Sequence, residues 1–270
     1  MDRNLTIKQL YKPVIRKFNR RKIITKEPFD ILGVDLADYS KAEPKGYICV
    51  MIDYYTRFMW TYLMTNKDKF RFEQVFDDHF NKFPHIPTFI HSDKEPALIN
   101  NRILEMYNIS VYHTEFMGSP IVERSIRTLK EIIGKLMTLK KQDLKDVGRH
   151  EQIEWYHYVQ QATEIYNTRK QKTIKMLPLQ ALNGVLSENP LVLEQLKEVN
   201  TTEHYTPKNP KYKVGDIVII AKSKKIFDKN DKPLWNETKY RIDKVLVFNV
   251  PVFTLSNGKN YYEQEIQKII

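Results

Sequence analysis

The order of apolar patterns between residues 29 and 168 constrains the fold of this chain most strongly. Three runs rich in β-branched and aromatic residues come first, as is typical of strands: FDILGVDLADY at 29–39, GYICVMIDYY at 46–55 and RFMWTYLM at 57–64. Helical and strand patterns then alternate. We predict helices over 69–83, 96–107, Pro120 to about Lys141 and 150–168, and strands over 87–93 and 109–114.

This order predicts an α/β fold in which helices flank a mixed sheet, the arrangement of an RNase H-like domain. Residues 207–270 differ in composition, since short strands alternate there with Lys, Asn and Asp turns, which favours a small β-barrel. The predicted organisation is a basic N-terminal arm at 1–27, the RNase H-like core at 28–185, a linker at 186–206 and the barrel at 207–270.

The net charge is unevenly distributed along the chain. In total, 44 Lys and Arg stand against 33 Asp and Glu, a formal charge of +11. Residues 1–27 carry +7 and residues 207–270 carry +6, whereas residues 28–206 carry −2. An excess of this size predicts a polyanionic partner, a nucleic acid or an anionic membrane surface, and nucleic acid is the leading candidate. We expect the two basic ends to hold it.

Other features exclude several classes of protein. No apolar run is long enough to cross a bilayer, and no apolar stretch follows the basic N-terminus, so we expect an intracellular protein without a signal peptide. The basic patch RKFNRRK at 16–22 is either a nuclear localisation signal or a contact to the DNA backbone. Cys49 is the single cysteine, which rules out a disulfide framework and a multi-cysteine zinc site.

Three carboxylates stand at positions that suggest phosphate chemistry. Asp35 lies in the first strand, Asp93 follows the strand TFIHSD, and Glu123 lies in the first turn of the longest predicted helix. Converging carboxylates suit Mg²⁺ or Mn²⁺, and two such ions support an in-line phosphoryl displacement. Arg127 and Lys130 follow Glu123 on the same helical face. With 33 acidic residues in the chain, an incidental triad stays a valid alternative.

At these residues the sequence resembles the catalytic core of retroviral-type integrases, in particular those of Maverick/Polinton elements and virophages. The resemblance extends from about residue 12 to residue 183. Its most specific segments are FIHSDKEPAL and GSPIVERSIRTLK. Supporting segments are KPVIRKFNRRKIIT, ILGVDLADYS, GYICVMIDYYTRFMWTYLMTNKD and IYNTRKQKTIKMLPLQAL. The interval between Asp93 and Glu123 is shorter than is usual in the family, and Glu131 is the alternative third carboxylate.

The resemblance implies a DDE-type integrase that cuts element DNA ends and joins their 3′-hydroxyls to target DNA. Asp35, Asp93 and Glu123 would be the catalytic residues and the ligands of two Mg²⁺ or Mn²⁺ ions, with no zinc in this chain. Double-stranded DNA would be the partner, with chromatin as a further candidate, in the host nucleus. Joining two ends implies a homodimer or homotetramer. The barrel would be SH3-like or chromo-like. The DNA-binding candidates are Arg127, Lys130, Arg16, Lys17, Arg20, Arg21, Lys22, Lys224 and Lys225.

Two alternatives remain open at the level of sequence. A cut-and-paste transposase of the same fold would use the same residues. A catalytically dead RNase H-like protein that binds DNA or chromatin would keep the basic ends, but its three carboxylates would not converge.

Overall fold

The computed structural model describes residues 3–16, 23, 25–92, 96–98, 100–113, 120–149, 151–200, 209–222, 232–246 and 250–269. The chain forms two compact units, of which the larger comprises residues 24–202 and the smaller combines residues 1–23 with residues 203–270. In chain order, the helices and strands are α1 (Arg3–Leu10), β1 (Ile31–Asp38), β2 (Tyr47–Asp53), β3 (Met59–Met64), α2 (Lys69–Lys82), β4 (Phe89–Ser92), α3 (Arg102–Met106), β5 (Ser110–His113), α4 (Pro120–Asp146), α5 (Val159–Asn167), α6 (Pro178–Leu186), α7 (Pro190–Asn200), β6 (Ile217–Ile220), β7 (Tyr240–Leu246), β8 (Val252–Leu255), β9 (Asn260–Tyr262) and β10 (Ile266–Lys268).

The larger unit is built on a five-stranded mixed sheet in the order β3-β2-β1-β4-β5. β1, β2 and β3 pair antiparallel, because short turns connect them, whereas β4 and β5 run parallel to β1 through helical crossovers. The prediction of an α/β domain with a mixed sheet is confirmed. The strand order places β1 in the centre, with β2 on one side and β4 on the other.

One face of this sheet is covered by α2 and α3. The inward residues of β1, Leu32 and Val34, pack there with the aromatic side of α2, which presents Phe72, Phe76 and Phe80 at helical spacing. Asp68 caps α2, since its carboxylate accepts a 2.8 Å hydrogen bond from the Arg71 backbone N–H. This apolar layer fixes which side of β1 faces away from α2, and therefore which residues of β1 face the other helices.

The helix predicted over 96–107 is interrupted in the structure. A 3-10 turn at Pro96–Leu98 precedes α3, which begins only at Arg102. The reason is Asn101, whose side-chain oxygen accepts from the backbone N–H groups of Ile103 and Leu104 and so caps a new helix. The helix predicted over 150–168 likewise begins with a 3-10 segment, Trp155–Tyr158, before α5.

The segment predicted as a linker at 186–206 contains a helix in its central part. Residues 190–200 form α7, and Leu196 of this helix is fully buried with Tyr55 and Ala181. Pro190 suits a first helical turn, and Val192, Leu196 and Val199 give the helix one apolar side. The larger unit therefore includes this helix.

The smaller unit contains a five-stranded antiparallel sheet in the order β10-β6-β7-β8-β9, with Val218, Phe253 and Leu255 in its core. Closure of this sheet into an SH3-like or chromo-like barrel stays a prediction. The N-terminal segment, predicted as an arm of its own, belongs to this unit because Leu10 packs with Ile219 and Trp235. No helix of the described residues is long and apolar enough to cross a membrane.

Candidate functional site

Asp35 occupies the central strand β1 on the side opposite to the α2 layer. Side chains alternate along a strand, so Asp35 points to the same side as Gly33, two positions earlier. Its side chain is partly exposed, and its Oδ1 accepts a 2.7 Å hydrogen bond from the Leu36 backbone N–H. The sequence prediction placed Asp35 on a strand, and the structure places that carboxylate at the centre of the sheet.

β1 and α4 approach each other closely at Gly33. A Cβ added at Gly33 would lie under 3.0 Å from Val122 Cγ2 and from the ring of Tyr54. Only a residue without a side chain lets the first turn of α4 and the tyrosine ring lie this near to the strand. The side of β1 that carries Asp35 is therefore the side on which α4 packs.

Tyr54 and His91 extend this contact across the sheet. His91 is paired with Gly33 in the parallel register of β1 and β4, and its Nδ1 lies 2.6 Å from the Tyr54 hydroxyl. Both side chains are buried, at 1% exposure for Tyr54 and 3% for His91. The hydrogen-bonded pair of Tyr54 and His91 is therefore buried beside Gly33.

Glu123 directly follows Val122 in the first turn of α4. Val122 is fully buried, whereas Glu123 is exposed, as expected for neighbours on a helix that packs with one side only. Ser125 anchors the same turn, because its hydroxyl lies 2.9 Å from the Tyr166 hydroxyl of α5. Glu123 is thus an exposed carboxylate on a helical turn that is held against the strand of Asp35.

Asp93 lies outside the described residues, as do Lys17, Arg20, Arg21, Lys22, Lys224 and Lys225. The described register ends one residue before Asp93, since Ser92 of β4 pairs with Val34 of β1. Among the described residues, no group of three His, Cys, Asp or Glu side chains is gathered closely enough to hold a metal ion. That search does not include Asp93, so convergence of the three carboxylates stays a prediction.

The basic residues of α4 differ in what they contact. Lys130 Nζ donates a 3.0 Å hydrogen bond to the Asp38 carbonyl at the end of β1 and lies 5.2 Å from the centre of the Tyr39 ring. Arg127, one turn nearer to Glu123, is exposed. Lys130 therefore ties α4 to the end of β1, while Arg127 is accessible to a ligand.

The structure also shows the surroundings of Glu131 and Cys49, two residues that the sequence analysis named. Glu131, the alternative third carboxylate, is exposed and accepts a 2.6 Å hydrogen bond from Lys135, which lowers the pKa of Glu131. Cys49 is fully buried, and burial together with the nearby charge of Asp35 raises the pKa of its thiol. Cys49 is therefore a neutral core residue, and Glu131 forms a surface salt bridge with Lys135.

Sequence reasoning did not single out Gly33, and it did not predict the contact of Gly33 with Tyr54 and Val122. All three residues are buried where α4 packs on β1. The available signal was a glycine two residues before a strand carboxylate, because a glycine inside a strand often marks a close approach of another element.

Comparisons with known proteins show a similarity to solved structures. No family model matches the chain, and no curated protein matches it. Among solved structures, it is similar to the HTLV-2 integrase catalytic core domain in complex with magnesium. The trimeric form gives a TM-score of 0.45 at 16% identity over 57% of this chain and 95% of that chain. The dimeric form gives 0.45 at 15% identity over 59% and 97%. Since both TM-scores are below 0.5, the function proposed below rests on the residues of this chain.

Proposed function

We propose that this chain is a DDE-type integrase, a metal-dependent polynucleotidyl transferase that processes DNA ends and joins them to target DNA. The observation that carries the proposal is the contact of Val122 with Gly33. It holds the first turn of α4, and with it Glu123, over the side of β1 on which Asp35 lies.

The third carboxylate of the proposed site is Asp93. Val34 and Ser92 are the last described partners of the parallel pair, at the edge of the sheet where β4 ends, and Asp35 and Asp93 follow them in the sequence. Loops that follow adjacent parallel strands meet at that edge, where sites in open α/β sheets generally lie. This register supports a site to which β1, the residue after β4 and α4 each contribute one carboxylate.

The donor set fits Mg²⁺ or Mn²⁺, because all three ligands are carboxylates and hard cations prefer oxygen. When bound, two such ions would lower the pKa of the attacking hydroxyl and stabilise the leaving oxygen. Asp35 and Asp93 would hold the ions from the rigid sheet. Glu123 would close the site from α4, and Arg127 on the same helix would bind a DNA phosphate.

In this scheme no covalent bond forms between the protein and DNA, so the reaction consists of two direct displacements at phosphorus. Water would attack the phosphodiester bond near a DNA end and release a 3′-hydroxyl. That hydroxyl would then attack a target phosphodiester bond, which forms the new strand and releases a second 3′-hydroxyl. Each step exchanges one P–O bond for another, so no oxidant or external energy source is needed.

The decisive experiment compares Glu123→Gln with Glu131→Gln. We expect Glu123→Gln to reduce Mg²⁺-dependent strand joining by about 10³-fold or more, since it removes one ligand charge while keeping the shape of the side chain. Duplex binding should persist. Glu131→Gln is the matched control on the same helix, and it should join DNA normally because Glu131 is exposed and pairs with Lys135 on the surface of the helix.

The outcomes separate the alternatives. Normal joining by Glu123→Gln contradicts the assignment, and loss of joining only in Glu131→Gln moves the third ligand to that position. If the unaltered protein binds DNA but never joins strands with Mg²⁺ or Mn²⁺, the DNA- or chromatin-binding alternative is correct. Excision of the element as well as its insertion would identify a cut-and-paste transposase.

The finer parts of the proposal rest on the sequence resemblance. They are membership of the Maverick/Polinton and virophage group, action in the host nucleus, contact with chromatin, and a homodimer or homotetramer. Size-exclusion chromatography with light scattering tests the last of these, since a strictly monomeric protein, with and without DNA ends, is inconsistent with paired end joining.

A further inference from the structure

The two basic ends of this chain belong to one compact unit. Residues 1–23 contain eight Lys and Arg against one Asp, and residues 203–270 contain thirteen against eight acidic residues, so the smaller unit carries +12. Residues 24–202 contain 23 against 24 and carry −1. The positive charge, which the sequence distributes between two distant ends, is therefore concentrated in a single body.

The N-terminal segment is attached to this unit by backbone hydrogen bonds. The Leu10 carbonyl accepts from the backbone N–H groups of Leu234 and Trp235, at 2.9 and 3.2 Å. The indole Nε1 of Trp235 donates to the Lys12 carbonyl at 2.7 Å. These bonds fix the segment at the end of α1 in a defined position.

Burial of apolar side chains accompanies these bonds. Leu10 is 8% exposed and Trp235 is 4% exposed, and both pack with Ile219 of β6. Ile7, one turn earlier on α1, is 55% exposed. The helix therefore buries Leu10 within the unit and leaves Ile7 outside, so these two positions differ in burial while they share a helix.

A further contact joins the two basic parts of the sequence. Arg16 donates from both Nη1 and Nη2 to the Lys222 carbonyl, each at 3.2 Å. Arg16 is the first residue of the basic patch RKFNRRK, and Lys222 is the first residue of the basic run KSKK. The two most basic runs of these ends therefore start from the same point of one unit, although more than 200 residues separate them.

We propose that residues 1–23 and 203–270 form one composite nucleic-acid-binding module, in which docking of Leu10 pre-organises the described cations Lys12 and Arg16 for duplex phosphates. This inference rests on the proposed function for its choice of nucleic acid. A duplex fits better than a membrane surface, because the Leu10 side chain of α1 is buried within the unit and is not available to insert into a bilayer. Pre-organised cations bind phosphates more tightly, since less conformational entropy is lost on binding.

The test uses the full chain with Leu10→Asp and Ile7→Asp. Both variants lose the same net charge on the same helix, but only Leu10→Asp places a carboxylate in the buried contact. Binding of a short DNA duplex is measured without divalent metal over a series of salt concentrations. We expect Leu10→Asp to bind about tenfold or more weakly than Ile7→Asp at 0.15 M salt, with a shallower salt dependence.

A second variant covers the case in which Leu10→Asp unfolds the smaller unit. Trp235→Phe keeps an aromatic side chain in the contact and removes only the hydrogen bond to Lys12, and we expect a smaller loss of affinity in the same direction. Equal affinities of Leu10→Asp and Ile7→Asp, or wild-type affinity of Trp235→Phe, overturn the inference. Tighter binding to anionic vesicles than to the duplex also overturns it.

Failure of this inference and failure of the proposed function give different results. Equal binding by the two Asp variants with normal strand joining rejects only the composite module. Normal duplex binding without any joining by the unaltered protein rejects only the proposed function.

Discussion

Gly33→Ala should damage both the stability and the proposed chemistry, although it adds a single methyl group. The added Cβ would lie 2.8 Å from Tyr54 Cζ, and it would lie under 3.0 Å from Val122 Cγ2. Ordinary carbon contacts are about 3.5–4.0 Å, so each neighbour must move by more than about 0.5 Å. Tyr54 is buried and hydrogen-bonded to His91, and Val122 belongs to a long helix, so neither side chain can move freely.

The expected magnitudes follow from this displacement. Overpacking of a buried position costs about 1–3 kcal/mol, which for a unit of this size lowers the Tm by roughly 2–12 °C. A misplacement of about 1 Å in a catalytic group costs on the order of 10²-fold in rate. Because α4 carries Glu123, we expect strand joining to fall by about 10- to 100-fold.

The assays are thermal unfolding and Mg²⁺-dependent strand joining, with Gly134→Ala as the control. Gly134 lies on α4 with nothing within 4 Å of an added Cβ, so the same substitution there should stabilise the helix by up to about 1 kcal/mol. Combining Gly33→Ala with Val122→Ala should recover part of the loss, with a coupling of at least about 0.5 kcal/mol. Wild-type Tm and joining in Gly33→Ala would refute the close approach of α4 to β1.

Two further predictions concern the stability of the larger unit. Burial lowers the pKa of His79 to about 4, so the unfolded state takes up this proton first as the pH falls from 6.5, and acidification to pH 4 should lower the free energy of unfolding by up to about 3 kcal/mol. His79→Gln keeps a hydrogen-bonding group for Tyr62 and should lose less stability over the same pH range in urea unfolding. An unchanged pH dependence in this variant would contradict the prediction. Asn167→Ala should lower the free energy of unfolding by about 2–4 kcal/mol, because the Asn167 side chain donates to the Met59 carbonyl and accepts from the Met59 N–H, each at 2.9 Å, and its loss leaves both backbone groups unpaired. A loss below about 1 kcal/mol in the same urea assay, the size expected of a surface substitution, would show that these hydrogen bonds are not needed.

The mixed sheet could be predicted from the sequence because its signals are local. Each strand is a short apolar run, and the three consecutive runs that open the domain leave little choice of topology. The exact bounds of the helices were harder to predict. At Asn101, for example, a side-chain cap divides one helical pattern into two segments. The apolar spacing of Val192, Leu196 and Val199 was also present in the sequence, although these residues lie within the segment that was predicted as a linker.

The position of the N-terminal segment could not be predicted from local patterns. Leu10 looks like any apolar residue of a short helix, and its partners lie more than 200 residues later in the chain. The same limit applies to the candidate site. The sequence indicates that Asp35 and Glu123 are important, but only the close contact between Gly33 and Val122 shows that α4 packs on the Asp35 side of the strand.

The division of charge between the two units resolves a conflict within the proposed function. An integrase must attract DNA, which requires positive charge, yet carboxylates must also attract Mg²⁺, and a strongly positive surface repels that ion. Here the unit with the carboxylates is close to neutral at −1, and the separate unit carries +12. Positive charge in the smaller unit can therefore raise the affinity for DNA, while the unit that carries Asp35 and Glu123 keeps a net charge close to zero. Substitutions of basic residues there should change DNA binding strongly, while the Mg²⁺ concentration that gives half-maximal joining at saturating DNA should stay nearly constant.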